Sequence, residues 1–265
     1  MILAGYMVPH PPIAVHEIGN GEETKIQATI DGFDTVARDI ARLKPETIIL
    51  TTPHSVMYRD YFHISPGHEA FGSFGAFRAG NVQIHSSYDY ELVEEICRLS
   101  KEKDFPAGCM GERNPELDHG TMVPLYFITK HYKQAMLVRI GLSGLPLEKH
   151  VEFGQIISEA VASTKRRCVF IASGDLSHCQ KTDGPYGYRH QGPLYDEKIM
   201  EVMGRGDFSS LTEFDENLLD ASMECGHRSF TIMGGAFKDI PIESKLLSHE
   251  ATFGVGYGIC MYHPK

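Results

Sequence analysis

The chain has 265 residues, with 25 Lys and Arg against 35 Asp and Glu, a formal charge of −10. That balance argues against a phosphate-backbone binder, which needs a concentrated basic surface. No run of about 18 apolar residues is present to cross a membrane. The six cysteines form no C-x-x-C pair and read as reduced thiols of a cytoplasmic protein. The N-terminus, MILAGYMVPHPP, has no basic start and no small-residue cleavage site, so it is not read as a signal peptide. Fourteen histidines and no Trp make imidazole the chemistry to follow.

Residues 2–8 (ILAGYMV) predict a buried strand that ends in Val8-Pro9-His10. Ile26, Ile30, Phe33, Val36, Ala37, Ile40 and Leu43 then recur at helical spacing, ahead of Lys44-Pro45. A second strand, ETIILTT (46–52), ends in Pro53-His54. Strand, helix, strand over about 50 residues is a βαβ unit, whose two strands are expected to be parallel neighbours. Proline fixes its own φ and holds the residue before it extended, so each strand keeps its direction up to an imidazole at its edge. Ligands in open α/β sheets bind at that edge.

YFHIS and NVQIHS read as short strands around a Gly/Phe loop, FGSFGAF. A helix follows over roughly 88–103, and another follows the Asp118-His119-Gly120 turn. MLVRIG, a helix near 147–163, and CVFIAS repeat the βα rhythm, and CVFIAS runs into GDLSH. A Gly/Pro-rich loop spans 181–193, helices follow near 194–204 and 224–237, and SKLLSHEAT and GVGYGICMY close the chain as an antiparallel pair. The fold class expected is α/β, one domain over 1–265, with a central, mostly parallel mixed sheet flanked by helices.

His10 and His54 are the first candidates for a shared metal, since neutral imidazole is the commonest protein ligand and suits zinc, iron and copper. His119 has a defined direction from its Asp-His-Gly turn. His178 follows a strand end, with Asp175 near enough to orient it or raise its pKa, and is the candidate general base. For a third ligand Glu224, opening an apolar helix, ranks ahead of Glu243 and Glu250. Two imidazoles and one carboxylate on one face form the facial triad of non-haem Fe(II) oxygenases. Cys225 is a rival beside it. Of the other histidines, His190 and His227 rank next as residues that approach the site. GVGYG has no helix after it and is not a nucleotide loop. The loop 181–193, with Tyr186, Tyr188 and Arg189, is placed to enclose a substrate.

VPHPP, TPHS, DHG, SGDLSH and ECGHRS, in this order over positions 8 to 229, resemble the class III (LigB-type) extradiol ring-cleavage dioxygenases. Within that family the chain is similar to the LigB-like proteins of the AmmeMemoRadiSam group, with the Memo proteins as more distant cousins. The resemblance implies Fe(II) on His10, His54 and Glu224, with His119 and His178 as acid/base histidines. It implies cleavage of a catechol-type aromatic diol by O₂. Memo-type proteins carry a cysteine near the third-ligand position, so ECG leaves two alignments open. The alternatives to ring cleavage are a Memo-like metal-binding module and a hydrolase in which Zn²⁺ replaces iron. The partners expected are the aromatic diol and O₂, with a homo-oligomer allowed and neither nucleic acid nor membrane.

Overall fold

The computed structural model describes residues 1–113 and 116–265. In chain order the described residues form β1 (Ile2–Val8), α1 (His16–Gly19), α2 (Gln27–Leu43), β2 (Thr47–Thr52), β3 (Phe62–His63), β4 (Glu69–Phe74) and β5 (Ala79–Ser87). Then come α3 (Tyr90–Glu102), β6 (Ala107–Gly108), α4 (His119–Ile128), β7 (Met136–Gly141), α5 (Leu147–Thr164) and β8 (Cys168–Ser173). The chain ends with α6 (Gln191–Arg205), α7 (Glu216–Ser222), α8 (His227–Ala236), β9 (Ile242–Glu250) and β10 (Tyr257–Pro264).

Six strands make the main sheet in the order β7-β2-β8-β1-β10-β9. The first four are mutually parallel, and β10 and β9 add an antiparallel edge. This is the mixed, mostly parallel α/β architecture expected. One neighbour relation is corrected. β1 and β2 do not pair with each other, because β8 lies between them and pairs with both. CVFIAS and TIILTT are buried at every residue, as interior strands covered on both faces must be, and a βαβ unit leaves room for a later strand between its own two. The C-terminal ends still line up, with Val8 beside Ser173 and Thr51 beside Ala172.

Helices cover both faces. On one side α2 presents Phe33, Val36, Ala37 and Ile40, at 3-1-3 spacing, to a core shared with α4 and with Ile48, Leu50 and Ile171. Burying Phe33 or Ile40 contributes about 1.5–3 kcal/mol each. On the other side α3, α5, α6 and α8 pack over Ile49, Phe170 and Ala172. The segment read as a Gly/Phe loop is mostly strand: β4 and β5 pair as an antiparallel hairpin through Phe74, followed by one 3₁₀ turn at 75–77. Alternate residues of β4 are buried, and Gly72 sits where a Cβ would meet Leu117 and Met122, so its glycine serves close packing. YFHIS contributes only the two residues of β3, paired with β6.

Candidate metal centre

The two Pro-His elements converge although β8 separates their strands. His10 Nε2 and His54 Nε2 are 3.0 Å apart. His119 joins them: one ring nitrogen from each of the three lies within 4.8 Å of the others. His119 and His54 have ring centroids 4.0 Å apart.

The tautomer of His10 follows from its neighbours. Pro124 lies inside α4 and has no N–H for the Gly120 carbonyl four residues earlier. That carbonyl accepts from the Ser173 hydroxyl at 2.6 Å. Having given its only proton away, Ser173 Oγ can only accept from His10 Nδ1–H, 3.0 Å distant. His10 Nε2 is therefore left with its lone pair facing His54. Ser173 and Pro124 were given no role in the sequence, and the signal for them was a proline five residues into a helix.

The Asp-His-Gly turn is held by Asp118 as the cap of α4. Its Oδ1 accepts from the Thr121 amide at 3.0 Å and from Thr52 Oγ1 at 2.7 Å, and its Oδ2 accepts from Thr121 Oγ1 at 2.9 Å. Gly120 allows this fit, since a Cβ there would stand 2.4 Å from Thr52 Oγ1 and 3.3 Å from His54 Cδ2.

His178 lies near the cluster. Its ring stacks on Tyr186 at 5.1 Å, which brings the 181–193 loop to the site. Arg189 instead donates to the Ala221 carbonyl, and Tyr188 is exposed. Asp175 is turned to His10, not to His178: Oδ1 accepts the His10 amide at 2.7 Å, and Oδ2 is 3.9 Å from His10 Nε2.

The third-ligand turn divides its two side chains. α8 begins at His227, so Glu224 and Cys225 precede the helix. Glu224 Oε2 accepts the His227 amide at 2.6 Å and so satisfies a helix-start donor. Cys225 Sγ is the atom beside the histidines, 3.6 Å from His10 Nε2. Glu224 therefore stands outside the group of three ring nitrogens. Glu243 and Glu250 lie on β9, where Glu250 accepts from Thr29. His190 is exposed at the start of α6. His227 is a core residue, donating from Nε2 to the Leu211 carbonyl and accepting at Nδ1 from Tyr195.

Burial dominates the electrostatics. It holds His10 well below the usual imidazole range, aided by His54, His119 and His178 around it. His54 is also lowered by burial, against the pull of Asp118. Burial takes His119 and His178 down to about 4, with His54 adding to both. Four neutral imidazoles result, in the protonation state that metal binding requires. Burial raises Glu224 and Asp175 to about 7, opposed by the amides of His227 and His10 respectively, and raises the Cys225 thiol. A cation among the histidines would favour the ionised form of any of these three. Three close neutral ring nitrogens, with a carboxyl and a thiol on the adjoining turns, thus fit a divalent metal of the zinc or iron kind.

A polar cavity of about 420 Å³ opens beside His54 and His119, with His63, Phe77, Glu112 and Arg139 also in its walls. Arg139 is nearly buried and donates from Nε to Ser65 Oγ at 2.7 Å and from an NH to the Glu116 carbonyl at 2.7 Å. Larger depressions of about 620 and 730 Å³ lie elsewhere, away from the histidines. Among the described residues no helix is long and apolar enough to cross a membrane.

An α/β sheet with imidazoles gathered at its C-terminal edge defines the class, and the family follows. The model of the LigB family, the catalytic LigB subunit of aromatic ring-opening dioxygenase, matches residues 4–260, so the chain belongs to the LigB family. It is 39% identical over 261 residues to Protein CA_C1420 of Clostridium acetobutylicum, covering 96% of this chain and 56% of that protein. The chain thus spans about half the length of that relative. It is 23% identical over 290 residues to the 2-aminophenol 1,6-dioxygenase beta subunit of a Pseudomonas species, covering 97% of this chain and 92% of that one. The crystal structure of the uncharacterized protein JW3007 from Escherichia coli K12 shares the fold. Its TM-score is 0.60 at 12% identity, over 98% of this chain and 99% of that one.

Proposed function

We propose that residues 1–265 form a catalytic domain that binds one Fe(II) and cleaves the ring of a catechol-type aromatic with O₂, beside a hydroxyl and not between the two. The observation that carries this reading is the meeting of His10, His54 and His119 within 4.8 Å at the sheet edge of a LigB-family chain. In it His10 and His54 hold the metal through their ring nitrogens. Glu224 is the third ligand through the carboxylate oxygen that does not accept the His227 amide. Iron, when bound, supplies a path for electrons from the aromatic to oxygen that no side chain offers.

The protein's own groups do the rest. His178 is neutral at physiological pH and accepts the first hydroxyl proton of the substrate. Tyr186, stacked on His178, covers that ring and limits its access to water. His119, kept in place by the Asp118 turn, would act as the acid/base group beside the metal. The cavity beside His54 receives the aromatic, with Phe77 against His119 at 5.5 Å between ring centroids. A 2-aminophenol is a second candidate substrate, since the Pseudomonas relative carries that name. The "beta subunit" in the same name supports an oligomeric assembly, and a cytoplasmic location accompanies the reduced thiols.

One observation favours a second reading. Cys225, not Glu224, faces His10. A His-His-Cys site suits Zn²⁺ and would serve a Memo-like metal-binding module or a hydrolase in which the metal activates water. Anaerobic loading with Fe(II), then oxygen uptake and ring-opened product across catechols and 2-aminophenol, separates the two. The dioxygenase reading expects uptake matched by product. Full metal occupancy with no uptake on any member would transfer the site to the second reading.

A further inference from the structure

A second pair of reactive groups lies away from the histidines. Cys97, on α3, and Cys109, directly after β6, have their sulfurs 3.5 Å apart. Both are half-buried, and both line the depression of about 730 Å³, with Glu94, Arg98 and Lys101 on its walls. Of the other cysteines, Cys168, Cys179 and Cys260 are buried and Cys225 lies at the metal centre.

The scaffold sets this approach from both sides. Cys97 follows Ile96, which is fully buried and fixes its turn of α3 against the core. The reversal after α3 is tied by the Phe105 amide to the Ser100 carbonyl, 2.8 Å. On the other side Ile64 donates to the Gly108 carbonyl at 2.8 Å, and His63 Nδ1 donates to the Met110 carbonyl at 3.1 Å. Sulfurs already in contact need only small side-chain rotations to bond, provided the backbone tolerates them.

We propose that Cys97 and Cys109 form a peroxide-responsive dithiol that closes reversibly to a disulfide in that depression. The proposal is independent of the reaction assigned to the histidines. Either sulfur can be the donor in the hydrogen bond between them, so the two thiols are equivalent and Cys97 stands for whichever attacks first. The Cys97 thiolate attacks one peroxide oxygen: an S–O bond forms, the O–O bond breaks, and hydroxide leaves to become water. The Cys109 sulfur, losing its proton, then attacks the Cys97 sulfenic sulfur: S–S forms, S–O breaks, and a second water leaves. Two thiols are oxidised by two electrons and one peroxide is reduced to two waters. The bond would tie α3 to the segment that continues to Glu112, in the wall of the histidine cavity.

The test treats the reduced full-length protein with hydrogen peroxide, blocks remaining thiols by alkylation, and maps peptides by mass spectrometry. Expected is one dithiothreitol-reversible link between the Cys97 and Cys109 peptides. In Cys109→Ala, Cys97 should instead accumulate a sulfenic acid that dimedone traps. In Cys97→Ala, no dithiothreitol-reversible link to Cys109 should form at the same peroxide dose. Native circular dichroism of both variants makes their results comparable with wild type. Cys97 and Cys109 both remaining alkylatable in wild type while another cysteine oxidises, or a link joining a different pair, would overturn the proposal.

Discussion

Two turns deliver chemistry to the same three histidines and are built in different ways. The Asp118-His119-Gly120 turn is fixed by polar bonds: one carboxylate accepts from two threonine hydroxyls and a helix-start amide. The Glu224-Cys225-Gly226 turn has its own polar ties, the His227 amide on Glu224 and the Cys225 amide on the Asp175 carbonyl, and adds to them a fit of shape. Gly226 packs on Gly174 so closely that a Cβ on Gly174 would lie 2.1 Å from the Gly226 Cα. The first construction leaves one outcome, with His119 in the cluster. The second fixes the backbone but leaves open which side chain reaches the centre, and Cys225 holds that position while Glu224 caps α8.

The largest expected effect is on turnover, at the neighbour of the second turn. His178→Ala should keep metal yet lose about 10²–10⁴-fold in kcat, as removal of a positioned base does. Unchanged kcat with altered KM would make His178 a substrate contact only. Next is Gly174→Ala, where backbone meets backbone and no side chain can give way. A loss of about 3 kcal/mol in urea unfolding is expected, together with weaker metal binding, because the second turn must move. A neutral Gly174→Ala would show that shape does not hold that turn.

Asp118→Ala should be milder in stability, about 1–2 kcal/mol for a lost cap, while retaining the metal proposed to bind His10 and His54. Its turnover should fall because His119 loses its support. The smallest effect at neutral pH, silent until the pH falls below about 6.5, belongs to a buried histidine outside both turns. His150 Nδ1 contacts the Pro146 carbonyl at 3.0 Å, and burial takes its pKa from 6.5 to about 4. The unfolded chain therefore binds this proton first. Its contribution is fully present above about pH 6.5, declines as the pH falls, and levels off near pH 4. His150→Gln should make that limb of the urea midpoint against pH shallower, since the other buried histidines keep their share of it. An unchanged limb would assign it to other groups.

The fold was legible where pattern is local. The strand ends at His10 and His54, the α2 stripe and the antiparallel close follow from alternation and periodicity. The insertion of β8 between β1 and β2 was not, because a βαβ unit specifies direction and hand but leaves room for a later strand. The β4–β5 hairpin was hidden by Gly72 and Gly75, which read as loop residues until packing against Leu117 explains the first. At the site, the Asp118-His119-Gly120 turn ahead of a helix marked His119. The Glu224 turn was not readable, because starting α8 three residues later exchanges the roles of two adjacent side chains. Likewise Cys97 and Cys109 meet only because α3 reverses into β6, and nothing in their spacing marks a pair.

The central claim is one metal site founded on His10 and His54, and anaerobic Fe(II) titration with metal analysis tests it most directly. Wild type is expected to hold one equivalent. His10→Ala and His54→Ala should each lose it with native circular dichroism, and of the second turn's two side chains only one should matter. Loss in Glu224→Ala supports the carboxylate ligand, and loss in Cys225→Ala supports the sulfur. Retention of a full equivalent by folded His10→Ala or His54→Ala would contradict the site itself.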